Sequence, residues 1–361
     1  MYNKRKLTVV PKSKSSKLNK SGVRIVRNYP SITETEKTIK QVIKGQDEQV
    51  RQIVSAAYRT MDFGTKSNVL IVGKSGTGKT EILRQLAKKI GRISITVDAN
   101  DFTEEGYVGQ SVSSIIVRLV VTANYDVKKA EEGIIIIDEI DKKAAKESQG
   151  QRDVSGKGVQ DALLKLIEDK TIPIRFTDEY EQQSYFANLR TDKILFFFAG
   201  AFSGIEEIKK RRLKRETSIG FTGKSTEKAS EDNKIKKKDL IEFGLSEEFV
   251  GRMDTIVQMN ELSESVLEDI LKNSKKSKLR LYVNSLKKHG IETKYNDEVV
   301  KAFARKARKE SQETGARELA NVVNYVFDKI TYQVMSEPRG TYHELILLEG
   351  IEEDNTKYIL R

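Results

Sequence analysis

The 361 residues contain no cysteine. That removes disulfides, thiolate nucleophiles and cysteine-ligated zinc from the available chemistry. Histidine is nearly as scarce: His289 and His343 are the only two, too far apart in the chain to suggest a histidine metal cluster. No apolar run approaches the roughly 20 residues that a membrane helix needs. The longest apolar stretches, around Ile134–Ile137 and Ile194–Phe202, have the length of buried strands. The first 33 residues lack Asp and Glu altogether, and no apolar segment of a secretory signal follows their basic charges. These absences lead us to expect a soluble, cytoplasmic protein with no membrane partner.

The length suggests about two domains. Hydrophobic residues make up 37% of the chain, low for a globular protein but too many for a wholly disordered one. Lys and Arg number 65 against 53 Asp and Glu, a net charge of +12, and nine of those bases lie in the acid-free first 33 residues. Without that segment the charge falls to +3. The segment 1–33, with its Ser/Lys-rich stretch Lys12–Ser21, reads as a disordered tail. An anchor for nucleic acid or an acidic partner, or a transit peptide, are its other readings. Two more basic clusters, Lys209–Arg215 and Lys234–Lys238, flank a Gly/Ser/Thr-rich segment and read as the shoulders of a mobile loop over about 209–238.

Periodicity gives the order of elements. Helices are expected over Gln41–Arg59, Glu81–Ile90, Ser113–Val121 and Val159–Glu168, and strands over Asn68–Val72, Ile93–Val97, Gly133–Asp138, Ile194–Ala199 and Asp254–Gln258. Strands alternating with helices predict an α/β fold with a parallel sheet and crossover helices. From about Leu262 the pattern changes to helices over Val266–Lys288, Asp297–Lys309 and Ala316–Met335, then short strands over Glu344–Leu348 and Lys357–Leu360. We expect a tail over 1–33, a large domain over 34–261 and a smaller, mostly helical domain over 262–361.

Gly73-Lys-Ser75-Gly76-Thr77-Gly78-Lys79-Thr80 matches the full phosphate-loop pattern between a strand and a helix. Such a loop turns backbone N–H groups and a helix N-terminus onto phosphate oxygens. Lys79 would reach the β- and γ-phosphates, and Thr80 would hold Mg²⁺. About 60 residues on, a run of four isoleucines ends in Asp138-Glu139. Asp138 would serve the Mg²⁺ shell, partly through water, and Glu139 would activate the attacking water. Together they predict a site for nucleotide hydrolysis.

Further segments resemble the ClpX family of ring-forming AAA+ protein unfoldases. Asp101–Gly109, with Gly106-Tyr107-Val108-Gly109, is similar to its pore loop; Arg152–Gln160 resembles its second pore loop; Ile194–Ser203 resembles its sensor strand. Ile219-Gly220-Phe221 resembles the tripeptide that docks on the peptidase, Glu248–Arg252 the arginine-finger segment, and Gly315–Arg317 the sensor-2 segment. Val42-Ile43, with Gly45-Gln46, resembles the adenine pocket, although Lys44 interrupts the usual Val-Ile-Gly-Gln order. The resemblance implies a P-loop AAA+ large domain and a helical lid. It implies ATP and Mg²⁺ as cofactors, bound by Val42, Ile43, Gly73, Ser75 to Glu81, Asp138 and Arg317. Lys79, Glu139 and Arg252 would be catalytic, with Arg252 acting on a neighbour's nucleotide in a homo-oligomer, a hexamer. Tyr107, Val108 and Arg152 would grip unfolded or tagged proteins, and Ile219–Phe221 would dock a ClpP-type peptidase.

Taken singly, Tyr107 is equally a turn aromatic, Arg252 and Arg317 surface charges, and Ile219 and Phe221 a chance apolar spot. Besides Lys44, the chain departs from the family in two further places. Without cysteine these residues hold none of the zinc domain that the family carries at its N-terminus. Thr177–Gln183, acidic here, stands where the family has a basic pore-entrance loop. Three other readings remain open. Tyr358–Arg361 faintly resembles the docking tail of the HslU family, whose large inserted domain is missing, and a remodeller without a peptidase is a milder variant. A nucleic-acid-remodelling ATPase, with the basic tail as its foothold, is the reading from another class; the Gly-Tyr-Val-Gly loop argues against it.

Overall fold

The computed structural model describes residues 28–102, 111–145, 147–148, 151–152, 154–168, 171–177, 184–218, 233–310, 315–351, 353 and 357–361. Strands β1 (Val69–Val72), β2 (Ser94–Asp98) and β3 (Ile134–Asp138) come first. The short pair β4 (Glu147–Ser148) and β5 (Gln151–Arg152) and the hairpin β6 (Thr171–Thr177) and β7 (Ser184–Arg190) follow. Then come β8 (Leu195–Gly200) and β9 (Thr255–Gln258). One parallel sheet has the order β2-β3-β8-β1-β9. Its three inner strands, β3, β8 and β1, read as almost unbroken apolar runs because helices cover both faces, whereas the edge strands β2 and β9 alternate with polar residues. Alternate residues serve opposite layers: Leu70, Ile135, Ile137, Phe196 and Phe198 pack into one core. Val69, Ile71, Ile134, Ile136, Leu195 and Phe197 pack into the other. This is the expected α/β architecture.

A third core gathers residues from Leu262 to Ile351. It is built by helices Glu264–Asn273, Lys278–Lys288, Asp297–Glu310 and Gly315–Ser336, with the sheet β10 (Glu292–Lys294), β11 (Glu344–Leu347) and β12 (Tyr358–Leu360). Tyr282 stacks on Phe327 inside it, ring centroids 4.5 Å apart.

Four expectations need correction. The helix expected over Gln41–Arg59 begins only at Asp47 and runs to Phe63. Gly45 takes φ +71 with Val266 packed against it, so the chain turns there. The carbonyls of Gln41 and Val42 accept instead from Lys275 N (3.0 Å) and Ser274 Oγ (2.6 Å). A helix over Ile32–Lys40, capped by Ser31, precedes that turn and crosses the expected tail boundary. The single helix expected over Val266–Lys288 is broken at Ser274–Ser277. Hairpin β6–β7 was not expected at all. Finally, Lys209–Arg215 is no loop shoulder but part of the helix Ile205–Ser218, where Arg212 makes a buried bidentate pair with Asp239 (2.7 and 3.1 Å).

The second break makes a prediction. Ser277 Oγ accepts from Arg280 N (3.3 Å) and donates to Leu271 O (2.7 Å) while almost wholly buried. Ser277→Ala should therefore cost about 1–2 kcal/mol, read as a fall of a few degrees in the thermal unfolding of the third core.

Candidate functional site

The carboxyl ends of β1, β3 and β8 meet at the point where the strand order reverses, the usual place for a ligand in an open parallel sheet. The phosphate loop leaves β1 there, with Gly73 N donating to Gly200 O of β8 (3.1 Å). Residues Lys79–Ile90 form the helix that follows. The backbone N–H groups of Ser75, Gly76, Thr77, Gly78, Lys79 and Thr80 donate to no atom among the described residues. A run of unpaired donors opening onto a helix N-terminus is an anion cradle. Thr77 Oγ1 braces the loop through Lys74 O (2.8 Å). Lys79 is folded back, its Nζ donating to Gly73 O and to Lys74 O, the latter at 3.0 Å. Burial pulls its pKa down, and the carboxylates of Asp138 and Asp141 push back against that fall.

Thr80 Oγ1 donates to Asp138 Oδ2 (2.9 Å), so the two groups expected at Mg²⁺ touch each other. Asp138 Oδ1 accepts from Glu139 N (3.0 Å). Glu139 sits at φ +56, a sharp turn that lifts its carboxylate out of the strand's alternation. Two neighbours were missed in the sequence. Asn100, in the 3₁₀ turn Ala99–Asp101 after β2, donates from Nδ2 to Glu139 Oε2 (2.7 Å). The register Asp98↔Asp138 brings the two strand ends together, and Asp98 Oδ1 caps the turn by accepting from Asn100 N (2.8 Å). Asp141 is buried, and its two carboxylate oxygens accept from Ala201 N (3.1 Å) and Phe202 N (3.2 Å) after β8. A β-carbon on Gly200 would lie 2.6 Å from that carboxylate, which explains why no polar side chain ends this strand.

Behind the phosphate loop lies a pocket of about 270 Å³, lined by Val42, Ile43, Leu262, Ile270, Ala316 and Leu319 among others. It joins the turn before Asp47 to the helical third core. Glu81 and Lys276 pair near its mouth (2.5 Å). Ala316 N donates to Gly76 O (3.1 Å), so the helix Gly315–Ser336 starts on the phosphate loop itself. Arg317 follows at once, close enough for its charge to depress the pKa of Lys79. Gln46 binds the same region to the sheet through Asn260 O (2.8 Å) and Asn260 N (3.0 Å).

Arg252 does not join these residues. Its carbonyl accepts from Asn68 Nδ2 (3.1 Å), just before β1 begins, whereas the phosphate loop starts where β1 ends. Arg252 and the phosphate loop of one chain are thus at opposite ends of the sheet. Tyr107, Val108, Ile219, Gly220, Phe221 and the tail 1–27 lie outside the described residues, as does 178–183 of the acidic loop. Arg152 lies on β5, its side chain outside the description. Among the described residues no helix is long and apolar enough to cross a membrane.

The AAA domain family (Cdc48 subfamily) matches residues 64–256. The ATP-dependent Clp protease ATP-binding subunit ClpX of Bacteroides thetaiotaomicron is 34% identical over 336 residues, 88% of this chain and 80% of that protein.

Proposed function

The chain belongs to the ClpX family of AAA+ ATPases, and from that premise we propose that it works as a hexameric ring that threads unfolded or tagged proteins into a ClpP-type peptidase. It is an ATP-hydrolysing enzyme of the Clp unfoldase type. The observation that carries the ring is the separation of Arg252 from its own chain's phosphate loop by the length of β1. A guanidinium there can serve only the nucleotide of an adjacent protomer.

In this reading the unpaired N–H groups of Ser75–Thr80 take the phosphates of ATP, and the pocket at Val42 and Ile43 takes the base. Lys79 exchanges loop carbonyls for phosphate oxygens. Thr80 and Asp138 are hard oxygen donors in contact with each other, a pair that suits Mg²⁺, an ion that keeps water and phosphate among its ligands. When bound, Mg²⁺ neutralises phosphate charge. Glu139 removes the proton of the attacking water, Arg252 of the neighbour stabilises the γ-phosphate, and Arg317 reports nucleotide to the third core. We assign the chain up to 261 as the ATPase domain, beginning at the helix Ile32–Lys40 rather than at 34, and 262–361 as the lid, with the residues before that helix as a tail. Tyr107, Val108 and Arg152 drag the polypeptide, and Ile219–Phe221 hold the peptidase. Acidic residues at 177–183 argue against substrates with acidic ends. We place the work in the cytoplasm, with no membrane or nucleic-acid partner.

The test uses a folded fluorescent protein, ATP and a ClpP-type barrel. Fluorescence should fall with ATP alone, and fragments should form once the barrel is added. Deleting Ile219–Phe221 should abolish fragments while ATP turnover and unfolding persist. Fragments formed by the deletion variant exclude the docking role; fluorescence unchanged by ATP excludes unfolding.

A further inference from the structure

Arg252 is held at one edge only. Its Nε lies within ion-pair distance of Glu168 Oε1, and the guanidinium makes no hydrogen bond among the described residues. The side chains are 59% and 40% exposed, so the pair adds little to stability. Its consequence is orientation. An arginine side chain without a partner samples many rotamers, whereas a carboxylate beside Nε narrows that sampling and leaves the two terminal nitrogens for phosphate oxygens.

The pin stands on a rigid support. Glu168 ends the helix Val154–Glu168, whose Leu163, Leu166 and Ile167 are buried in the sheet's core. Two turns earlier, Gln160 Nε2 donates to Lys143 O (2.7 Å) and Gln160 Oε1 accepts from Ser246 N (2.8 Å). Ser246 caps the short helix Glu247–Gly251, and Arg252 ends it. One helix thus grips both ends of the segment that carries the arginine: Gln160 at its start, Glu168 at its finish.

The geometry points to Glu168 as a positioning residue that aims Arg252 at the nucleotide of the adjacent protomer. This rests on the reading that Arg252 acts between protomers. A reacting fork displaced by about 1 Å costs on the order of 10²-fold in rate, which sets the scale for losing the pin.

The test uses the full chain. Glu168→Ala should lower kcat for ATP by roughly 10- to 100-fold, with KM for ATP and the unfolding temperature unchanged. Glu168→Asp, which keeps a carboxylate beside Nε, should recover most of that loss. Equal losses in the two variants, or a lowered unfolding temperature that tracks the loss, overturn the inference. Mixed assemblies then separate it from the reading beneath it. Glu168→Ala protomers keep a sound hydrolytic site, and Glu139→Gln protomers keep a sound, pinned arginine. Mixed before ATP is added, they should turn over ATP faster than either alone, as Arg252→Ala with Glu139→Gln should. Gain in the Arg252→Ala mixture but not in the Glu168→Ala mixture overturns the positioning role and leaves Arg252 acting between protomers. Gain in neither overturns that action, and the role of Glu168 with it.

Discussion

Replacing Glu139 by Gln should leave ATP binding at wild-type strength and lower ATP turnover by about 10²–10⁴-fold, the usual contribution of a general base. The substitution keeps every hydrogen bond around Glu139, although it removes a charge that helps hold up the pKa of Lys79. Asn100 Nδ2 donates to Glu139 Oε2, and an amide oxygen in that place accepts the same bond. The main-chain bond from Glu139 N to Asp138 Oδ1 and the contact between Thr80 and Asp138 involve other atoms. The cradle of backbone N–H groups on the phosphate loop is likewise unaffected. What is lost is the capacity to take a proton from water, together with the negative charge that Lys79 feels. Steady-state turnover measured beside the Kd of a fluorescent nucleotide tests this. Turnover within a few-fold of wild type would show that Glu139 is not the base, and weakened binding would show that its charge helps hold the loop. With hydrolysis blocked, the variant should retain an unfolded polypeptide rather than release it.

Glu139 was legible because its two cues are local. A strand of four isoleucines ends in Asp-Glu, and a full phosphate-loop pattern precedes it. Apolar runs and glycine spacing survive translation into structure with little help from distant residues. Asn100 carried no such cue. Its role depends on β2 pairing beside β3 in the register Asp98↔Asp138, a fact of the sheet that no local pattern states. Asp141 was hidden in the same way, since its acceptors' partners lie 60 residues on, after β8.

The missed breaks have a different cause. Gln41–Arg59 and Val266–Lys288 both carry helical apolar spacing, and spacing alone cannot show where a helix stops. What stops them is mutual: Ser274 Oγ occupies the carbonyl of Val42, and Lys275 N occupies that of Gln41. Each break supplies the partner for the other, 230 residues away, and together they open the pocket at Val42 and Ile43. The hairpin β6–β7 escaped notice because Pro173 and Asn188, poor strand formers, face each other in its pairing.

Asp141→Ala is expected to be the most damaging single change to the folded site. The carboxylate, almost wholly buried, accepts the N–H groups of both Ala201 and Phe202. Removing it leaves two donors without an acceptor, and each such group costs about 1–3 kcal/mol. The turn they belong to is already strained, with Phe202 at φ +52 and its ring fully buried. The loss reaches the nucleotide because Gly200 O accepts from Gly73 N, the first residue of the phosphate loop. Asp141→Ala should therefore destabilise the sheet by about 3–5 kcal/mol and abolish nucleotide binding at temperatures where the helical third core remains folded. Asp141→Asn keeps one acceptor oxygen and should fall between the two. Thermal unfolding by circular dichroism, run beside nucleotide binding, reads both effects. An Asp141→Ala protein that unfolds at the wild-type temperature would mean that water satisfies the two N–H groups, and that the turn after β8 holds the phosphate loop without this carboxylate.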